Sequence, residues 1–131
     1  MANPNIVAVT SIYGKTTYLT PGGTTAVVLV TNASGSGKVF KINQIVAANV
    51  NGSAAVDTTV SIYTNGGVAQ GSAPSGGTAY PIVSTVSVPA DASLIVVDKT
   101  TGLYLMEDRC ISITSGTASG ITYSVSYEEI S

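Results

Sequence analysis

The longest run of alternating apolar and polar residues in the chain extends from Lys38 to Tyr63. In its first half, one face carries Phe40, Ile42, Val46, Ala48 and Val50, and the other face carries Lys41, Asn43 and Asn49. Successive side chains of a β-strand point to opposite faces, so this pattern predicts a half-buried strand. Gln44 is the one residue on the apolar face that does not fit. Because such a strand is not stable alone in water, the rest of the chain is expected to cover it.

A second strand is predicted directly after the first. Val56, Val60 and Ile62 alternate there with polar residues. Asn51 and Gly52 lie between the two stretches, and this pair tolerates the positive φ angles of a tight hairpin turn. We therefore expect two long antiparallel strands joined by a short loop near Asn51.

Shorter apolar or alternating stretches, separated by turn-forming residues, predict the remaining strands. They cover residues 6–13, 16–19, 24–31, 80–88, 93–98, 103–106, 110–114 and 121–128, with turns at residues 14–15 and 20–23. Residues 24–31 contain the apolar run AVVLV and are predicted to form a central strand. Roughly eight to ten strands without a helix are typical of an antiparallel sandwich. We predict an all-β, single-domain antiparallel β-sandwich over residues 1–131, either jelly-roll-like or Ig-like.

Two segments do not fit this strand pattern. Residues 1–5 are predicted to form a short N-terminal arm, and residues 64–78 are predicted to form a long loop rich in Gly and Ser. Long loops in compact domains are usually either mobile or used at a contact site. The sequence leaves both open for residues 64–78: a disordered loop, or an ordered contact with another subunit.

The chain carries few charges. Charged residues make up 9% of it and the net charge is −2, whereas about 25% charged residues are usual in soluble domains. Copies of such a protein repel each other weakly, which favours a role in an assembly. The five cations, Lys15, Lys38, Lys41, Lys99 and Arg109, are scattered along the chain. With no basic run and no apolar run of membrane-spanning length, we expect no nucleic-acid partner and no membrane partner.

The supply of catalytic groups is small. The chain has no His, one Cys and seven carboxylates. A Ser-His-Asp or Cys-His arrangement is therefore impossible within one chain, and the commonest ligand of transition metals is missing. Cys110 lies beside Ile111 in a predicted strand and is interpreted as a small buried residue. We predict no catalytic, cofactor-binding or metal-binding residue, and a non-enzymatic protein.

Residues 34–38, SGSGK, look at first like a phosphate-binding loop. Asn32 stands where the motif requires its first Gly, and Val39 stands where a Ser or Thr would hold magnesium. The segment also leads into a strand rather than a helix, so a nucleotide site is not predicted.

Two acidic pairs are candidate sites. Glu107 and Asp108, with Asp98, offer oxygen ligands for calcium, but adjacent acids in a turn more often form a solvated corner. Glu128 and Glu129 are interpreted as charges that keep a terminal strand soluble and discourage pairing at its edge.

Tyrosine is the dominant aromatic residue. The seven tyrosines are Tyr13, Tyr18, Tyr63, Tyr80, Tyr104, Tyr123 and Tyr127. A tyrosine ring buries apolar area while its hydroxyl stays hydrated. The sequence leaves three roles open for them: the core or a sheet face, a protein interface, and a platform that stacks on sugars.

Four segments resemble a group of small virion structural proteins of tailed phages, especially marine cyanophages. They are MANPNIVAVTSIYGKT, KVFKINQIVAANVNGS, SVPADASLIVVDKTTGLYLMEDRCISIT and the closing VSYEEIS. The resemblance covers most of the chain, and residues 65–78 depart from it. It implies a non-enzymatic component of a phage particle, with no catalytic residues to carry over.

The resemblance and the composition together predict a capsid decoration (cement) protein. Its expected partners are the major capsid protein on the outer shell and further copies of itself, with a trimer favoured for a site between hexamers. Its expected location is the virion, after synthesis in the cytoplasm of a host bacterium. The alternatives are a neck-, tail- or fibre-associated module and a carbohydrate-binding or host-adhesion module.

Overall fold

The computed structural model describes residues 4–131, so the first three residues of the predicted N-terminal arm lie outside the described residues. Nine strands form the regular structure of this part of the chain. They are β1 (Ile12–Leu19), β2 (Val27–Asn32), β3 (Val39–Asn49), β4 (Val56–Tyr63), β5 (Ala79–Val88), β6 (Ser93–Val97), β7 (Leu103–Leu105), β8 (Arg109–Ser115) and β9 (Ile121–Ile130).

The strands form two antiparallel sheets that pack face to face. Sheet 1 has the order β1-β9-β3-β6, and β7 also pairs with β3. Sheet 2 has the order β2-β8-β4-β5. One cluster of buried apolar side chains draws on both sheets, from Leu29 and Val60 in sheet 2 to Ile42 and Val125 in sheet 1. The predicted all-β sandwich is confirmed.

The strand pairs are nested around one hairpin. Residues 64–78 join β4 to β5, which pair with each other. Outside this pair, β3 pairs with β6 and β7, β2 pairs with β8, and β1 pairs with β9. The pairs β3–β9 and β4–β8 then roll the nested ribbon into two sheets. With β6 and β7 counted as one interrupted strand, this winding is that of a jelly roll, one of the two predicted topologies.

The predicted hairpin at Asn51 and Gly52 is wrong. β3 belongs to sheet 1 and β4 to sheet 2, so the chain crosses between the sheets at this point. Asn49 stabilises the crossing, because its Nδ2 donates to Ala54 O at 3.0 Å and its Oδ1 accepts from Asn51 N at 2.8 Å. Two consecutive strands with one apolar face each can cover each other from opposite sides of a core, and the alternation pattern is the same in both arrangements.

The predicted inward face of β3 is correct only in its first half. Phe40 and Ile42 are buried, but the register with β9 then shifts between Ile42 and Gln44. Such a bulge inserts one residue and exchanges the two faces of the strand. Ile45, Ala47 and Asn49 therefore point inward, whereas Val50 is 55% exposed. The misfit at Gln44 was the sequence signal of this bulge.

The predicted first strand, residues 6–13, is displaced. β1 begins at Ile12 and runs without interruption through Gly14 and Lys15, where a turn was predicted. Ile12 lies opposite Ile130, the last residue of β9, so the β1–β9 pairing does not extend to residues 6–11. The AVVLV strand is also misplaced in the prediction: β2 pairs only with β8 and is an edge strand.

Tyr123 links the two sheets inside the core. It is fully buried in β9, and its hydroxyl donates to Thr114 O at 2.8 Å and hydrogen-bonds Thr58 Oγ1. Desolvation raises the pKa of Tyr123 to about 12. At the other end of the core, the rings of Phe40 and Tyr127 stack with centroids 4.9 Å apart.

Candidate interaction surfaces

The glycine loop at residues 33–38 binds a carboxylate of its own chain. Gly35 N and Gly37 N donate to Glu107 Oε2 and Oε1, both at 3.1 Å. Both glycines have positive φ, which turns successive N–H groups toward one anion. Glu107 is only 8% exposed, so the predicted solvated corner is wrong at this residue. In the loop that resembles a phosphate-binding motif, the N–H groups of Gly35 and Gly37 thus bind the Glu107 carboxylate.

Asp108 and Asp98, the other candidate calcium ligands, also accept hydrogen bonds from the backbone around them. Asp108 Oδ1 accepts from Gly66 N at 3.0 Å. Asp98 Oδ1 accepts from Thr100 N and Thr101 N in the turn before β7. These hydrogen bonds hold the pKa of Asp98 below its usual range, with the Thr100 hydroxyl as the largest cause. Among residues 4–131, no group of three or more His, Cys, Asp or Glu side chains is placed to hold a metal ion.

Residues 64–78 are held against their own chain. Gly71 N donates to Val28 O and Val28 N donates to Ser72 O, both at 2.9 Å, so the loop pairs with the outer edge of β2. Gly77 N donates to the Tyr63 hydroxyl at 3.0 Å. Val68 packs in a small cluster with Val28, Tyr63 and Cys110. The loop thus contacts β2 and Tyr63 of its own chain, and a contact with another subunit stays a prediction.

The tyrosines divide between the core and separate parts of the surface. Tyr63, Tyr123 and Tyr127 are buried. The four exposed tyrosines lie on three different strands: Tyr13 and Tyr18 on β1, Tyr80 on β5 and Tyr104 on β7. β1 and β7 are at opposite edges of sheet 1, β5 belongs to sheet 2, and an odd and an even position of one strand face opposite sides. The exposed rings do not form a common platform for a sugar.

Glu129 lies between two lysines at one end of the sandwich. Its Oε2 accepts from Lys15 Nζ at 3.0 Å and its Oε1 accepts from Lys38 Nζ at 2.7 Å. Burial raises the pKa of Glu129, but the hydrogen bonds from Lys38 and Lys15 outweigh it and leave the pKa below its usual value. The hydrogen bond to Glu129 raises the pKa of Lys15.

This ion cluster corrects the prediction for the terminal strand. Glu129 is 7% exposed and β9 lies inside sheet 1, between β1 and β3. The carboxylate is therefore a buried ion-pair partner and not a charge that guards an edge. Glu128 points to the other face, where Asn43 Nδ2 donates to it at 3.2 Å.

An apolar cleft lies on the outer face of sheet 1, at the end of the sheet that contains Glu129. Pro4, Ile6, Val39, Tyr104 and Met106 line an open cleft of about 310 Å³. The N-terminal segment forms one wall, and β7 with the residue after it forms the other. Ile6, Tyr104 and Met106 are 52%, 50% and 45% exposed.

The N-terminal segment extends this apolar surface beyond the cleft. Val7 follows Ile6 and is 92% exposed. Thr10 N and Ser11 N both donate to Ser131 O, at 2.6 and 3.0 Å, which fastens the segment to the end of β9. We name the cleft residues together with Val7 the N-terminal apolar surface. Apolar residues on both faces of residues 6–13 are a sequence signal for it, because a strand with this pattern is usually covered on two sides.

No protein-family model and no curated protein matches this sequence. Within residues 4–131, no helix is long and apolar enough to cross a membrane.

Proposed function

We propose that the chain is a non-enzymatic virion structural protein of a tailed phage and acts as a capsid decoration protein. Its partner in this role is the major capsid protein on the outer shell. The proposal rests on the resemblance of four segments to small phage virion proteins and on one structural observation, the N-terminal apolar surface on a molecule with few charges. The jelly roll is consistent with it by analogy of fold alone, since this fold also occurs in lectins and cupins.

The N-terminal apolar surface is suited to contact with a protein. A volume of about 310 Å³ is at the lower end of ligand pockets, and its five lining residues offer no charged side chain to orient a polar ligand. Contiguous exposed apolar residues often mark a site of contact with another protein. An apolar side chain or turn of the capsid protein fills the cleft and removes Ile6 and Met106 from water.

Docking of this kind stabilises the capsid by mass action. A protein that binds only the assembled lattice shifts the equilibrium toward that lattice. Val7 and the cleft contribute apolar contact area, and the low net charge of −2 keeps electrostatic repulsion small. Many copies with modest affinity are sufficient, because each shell offers many equivalent sites.

The first test is binding to expanded capsids that lack this protein. We expect the wild-type chain to bind at a fixed ratio to the capsid protein, and Met106→Glu to lose most of this affinity. Ile95→Glu is the matched control, because Ile95 is 58% exposed on β6 of the same sheet but does not line the cleft. A Met106→Glu protein that binds as well as wild type would contradict the docking surface.

The second test is the number of copies per particle, measured by quantitative mass spectrometry. Near parity with the major capsid protein supports decoration of the shell. A few dozen copies or fewer would overturn decoration in favour of a neck-, tail- or fibre-associated module. Failure of the wild-type chain to bind any expanded capsid would count against the shell as its location.

A further inference from the structure

The four sheet edges differ in how well they are protected against pairing with another chain. The edge of β2 is covered, because Val28 exchanges two backbone hydrogen bonds with Gly71 and Ser72. The edge of β5 contains Pro81 and two register shifts, and Thr85 has a φ of 52°. The third edge is divided between two short strands, β6 and β7. Proline, bulges and short strands are the usual devices that prevent edge pairing.

The fourth edge, β1, has none of these devices. β1 is eight residues long and pairs with β9 in unbroken register from Ile12 opposite Ile130 to Leu19 opposite Tyr123. It contains no proline and no bulge. Its one charged residue, Lys15, is held by Glu129 at 3.0 Å. The strand is therefore long and regular, and Lys15 is its only charged residue.

The register shows which backbone groups of β1 face outward. Ser11 and Ser131 form a reciprocal pair, with Ser11 N to Ser131 O at 3.0 Å and Ser131 N to Ser11 O at 2.9 Å. Hydrogen-bonded and non-hydrogen-bonded pairs alternate in an antiparallel ladder. Odd-numbered residues of β1 thus bond to β9, and even-numbered residues direct their N–H and C=O groups away from it.

One contact supports this assignment directly. Gln70 Nε2 approaches the β1 edge from the loop and donates to Tyr18 O at 3.2 Å. The remaining outward groups belong to Ile12, Gly14 and Thr16, and within residues 4–131 no hydrogen bond from another segment reaches them. The edge therefore offers a row of three evenly spaced donor and acceptor pairs.

We propose that β1 pairs antiparallel with β1 of a second copy of this chain, about a twofold axis at Gly14. A strand paired with itself in this way is self-complementary, as a twofold interface requires. Ile12 then lies opposite Thr16 of the second copy and Gly14 opposite its own equivalent, which forms about six backbone hydrogen bonds. Sheet 1 becomes one sheet that is continuous through both copies.

The charges on β1 favour a second copy of this chain as its partner, in the register centred on Gly14. With Gly14 on the axis, Lys15 lies opposite Tyr13 of the second copy, where the ammonium group and the ring attract each other. A register centred on Lys15 would place two like charges directly opposite, which is destabilising. Tyr13 is 60% exposed and Ile12 is 52% exposed, so pairing of the two copies buries apolar surface of both side chains. Among residues 4–131, no heavy atom outside the neighbouring residues lies within 4 Å of a Cβ built on Gly14, which leaves the axis open.

The pairing does not depend on the proposed function, because it involves the edge of sheet 1 and not the N-terminal apolar surface. It also differs from the trimer expected for a site between hexamers, since a twofold contact alone closes as a dimer. The molecular mass in solution separates the two arrangements.

The test uses the purified full chain and two variants at one position. Sedimentation equilibrium is expected to show a concentration-dependent monomer–dimer equilibrium. Thr16→Pro removes an outward N–H without touching the β9 ladder, and we expect it to raise the dimer dissociation constant about tenfold or more. Thr16→Val is the matched control, because it loses only the side-chain hydrogen bond to Ser126 Oγ and keeps the N–H. Its dissociation constant is expected to stay within about threefold of wild type.

A second measurement keeps the proposal testable if Thr16→Pro fails to fold. Gly14→Cys is expected to form a covalent dimer under mild oxidation, because residues of a hydrogen-bonded pair have Cα atoms about 5.5 Å apart, within disulfide range. Thr100→Cys, exposed in the turn after β6, is the control for random collision, and the native Cys110 is fully buried. A monomer at all concentrations, or an oligomer in which Gly14→Cys cross-links no faster than Thr100→Cys, would overturn the proposal.

Discussion

Asn32 and Asn49, at opposite ends of the sandwich, each donate a side-chain hydrogen bond to a backbone carbonyl of the other sheet. Asn32 Nδ2, on β2 of sheet 2, donates to Leu105 O in sheet 1 at 3.0 Å. Asn49 Nδ2, on β3 of sheet 1, donates to Val88 O in sheet 2 at 2.8 Å. The two side chains are 0% and 3% exposed, so each satisfies a carbonyl that water does not reach. The sandwich is thus closed at each end by one polar side chain.

Replacing either residue by alanine is expected to destabilise the fold by about 2–4 kcal/mol, because buried carbonyl groups lose their partner. For Asn32→Ala the loss includes the bond from Nδ2 to Lys38 O at 2.9 Å. Urea denaturation at pH 7 measures the change in the free energy of unfolding. Asn51→Ala serves as the control, since Asn51 accepts hydrogen bonds only from Ser53 in the turn, and a change below about 1 kcal/mol is expected. Equal effects at Asn49 and Asn51 would contradict the role in closing the sandwich.

The hydroxyl of Tyr123 is expected to contribute about 1–2 kcal/mol to stability. Tyr123→Phe keeps the ring but leaves Thr58 Oγ1 and Thr114 O without this partner. The free energy of unfolding should fall accordingly, with little change in its denaturant dependence. Tyr80→Phe, at a ring that is 59% exposed, is the control and should change stability by less than about 0.5 kcal/mol. A Tyr123→Phe protein as stable as wild type would mean that water or a neighbour replaces the hydroxyl.

The Lys15–Glu129–Lys38 cluster is expected to make stability depend on pH at both extremes. Glu129 has a pKa below its usual value in the folded state, so its contribution is present above the unfolded pKa of about 4.3 and is lost as pH falls through the folded pKa. Lys15 has a raised pKa, so its contribution is present below about pH 10.4 and is lost as pH rises further.

Thermal denaturation between pH 2.5 and pH 7 measures the acidic side of this dependence. Glu129→Gln should lower the melting temperature at pH 7 and reduce its fall toward low pH. Glu128→Gln is the matched control, because this neighbouring carboxylate forms a longer ion pair, with Lys41 Nζ at 3.9 Å. If Glu129→Gln retained the full acid sensitivity of wild type, another group would be responsible for it.

Gly66 is expected to tolerate no side chain. A Cβ built on it would lie 2.4 Å from Asn32 O, 2.9 Å from Arg109 N and 3.0 Å from Asp108 Cα, all of them backbone atoms. Gly66→Ala must therefore displace the loop from β2 and β8, with a loss of about 3 kcal/mol in stability and greater protease sensitivity in residues 64–78. Gly23→Ala is the control, since no heavy atom of the described residues, apart from the chain neighbours of Gly23, lies within 4 Å of its Cβ position. A Gly66→Ala protein with unchanged stability would show that the loop contacts contribute little.

Much of the strand content was predictable because burial imposes a period of two on each strand. β9 illustrates this best: Ile121, Tyr123, Val125 and Tyr127 occupy alternate positions of the predicted strand over residues 121–128, and all four are buried. The strand predictions are wrong where contacts with residues distant in the sequence override the alternation pattern. The bulge near Gln44 exchanges the faces of β3, and the absence of a β9 partner before Ser11 shortens the predicted first strand.

The candidate surfaces were less predictable than the strands. The sequence indicated that residues 6–13 carry apolar groups on both faces, but not that Ile6 faces Tyr104 and Met106 across a cleft. It offered residues 64–78 as a mobile loop or a contact, whereas the structure pairs them with β2. Contacts of this kind join residues far apart in the chain, and local propensity carries no information about them.

The sequence by itself determined that this chain forms β-strands with one apolar face each, and that few titratable groups are present to converge. It could do so because alternation and composition are local properties. Only the tertiary structure decided which strands share a sheet, that the turn at Asn51 crosses between sheets, and that Glu129 is a buried ion-pair partner. The physical reason is that pairing, burial and ionisation depend on neighbours in space, and one alternating pattern is compatible with several ways of covering its apolar face.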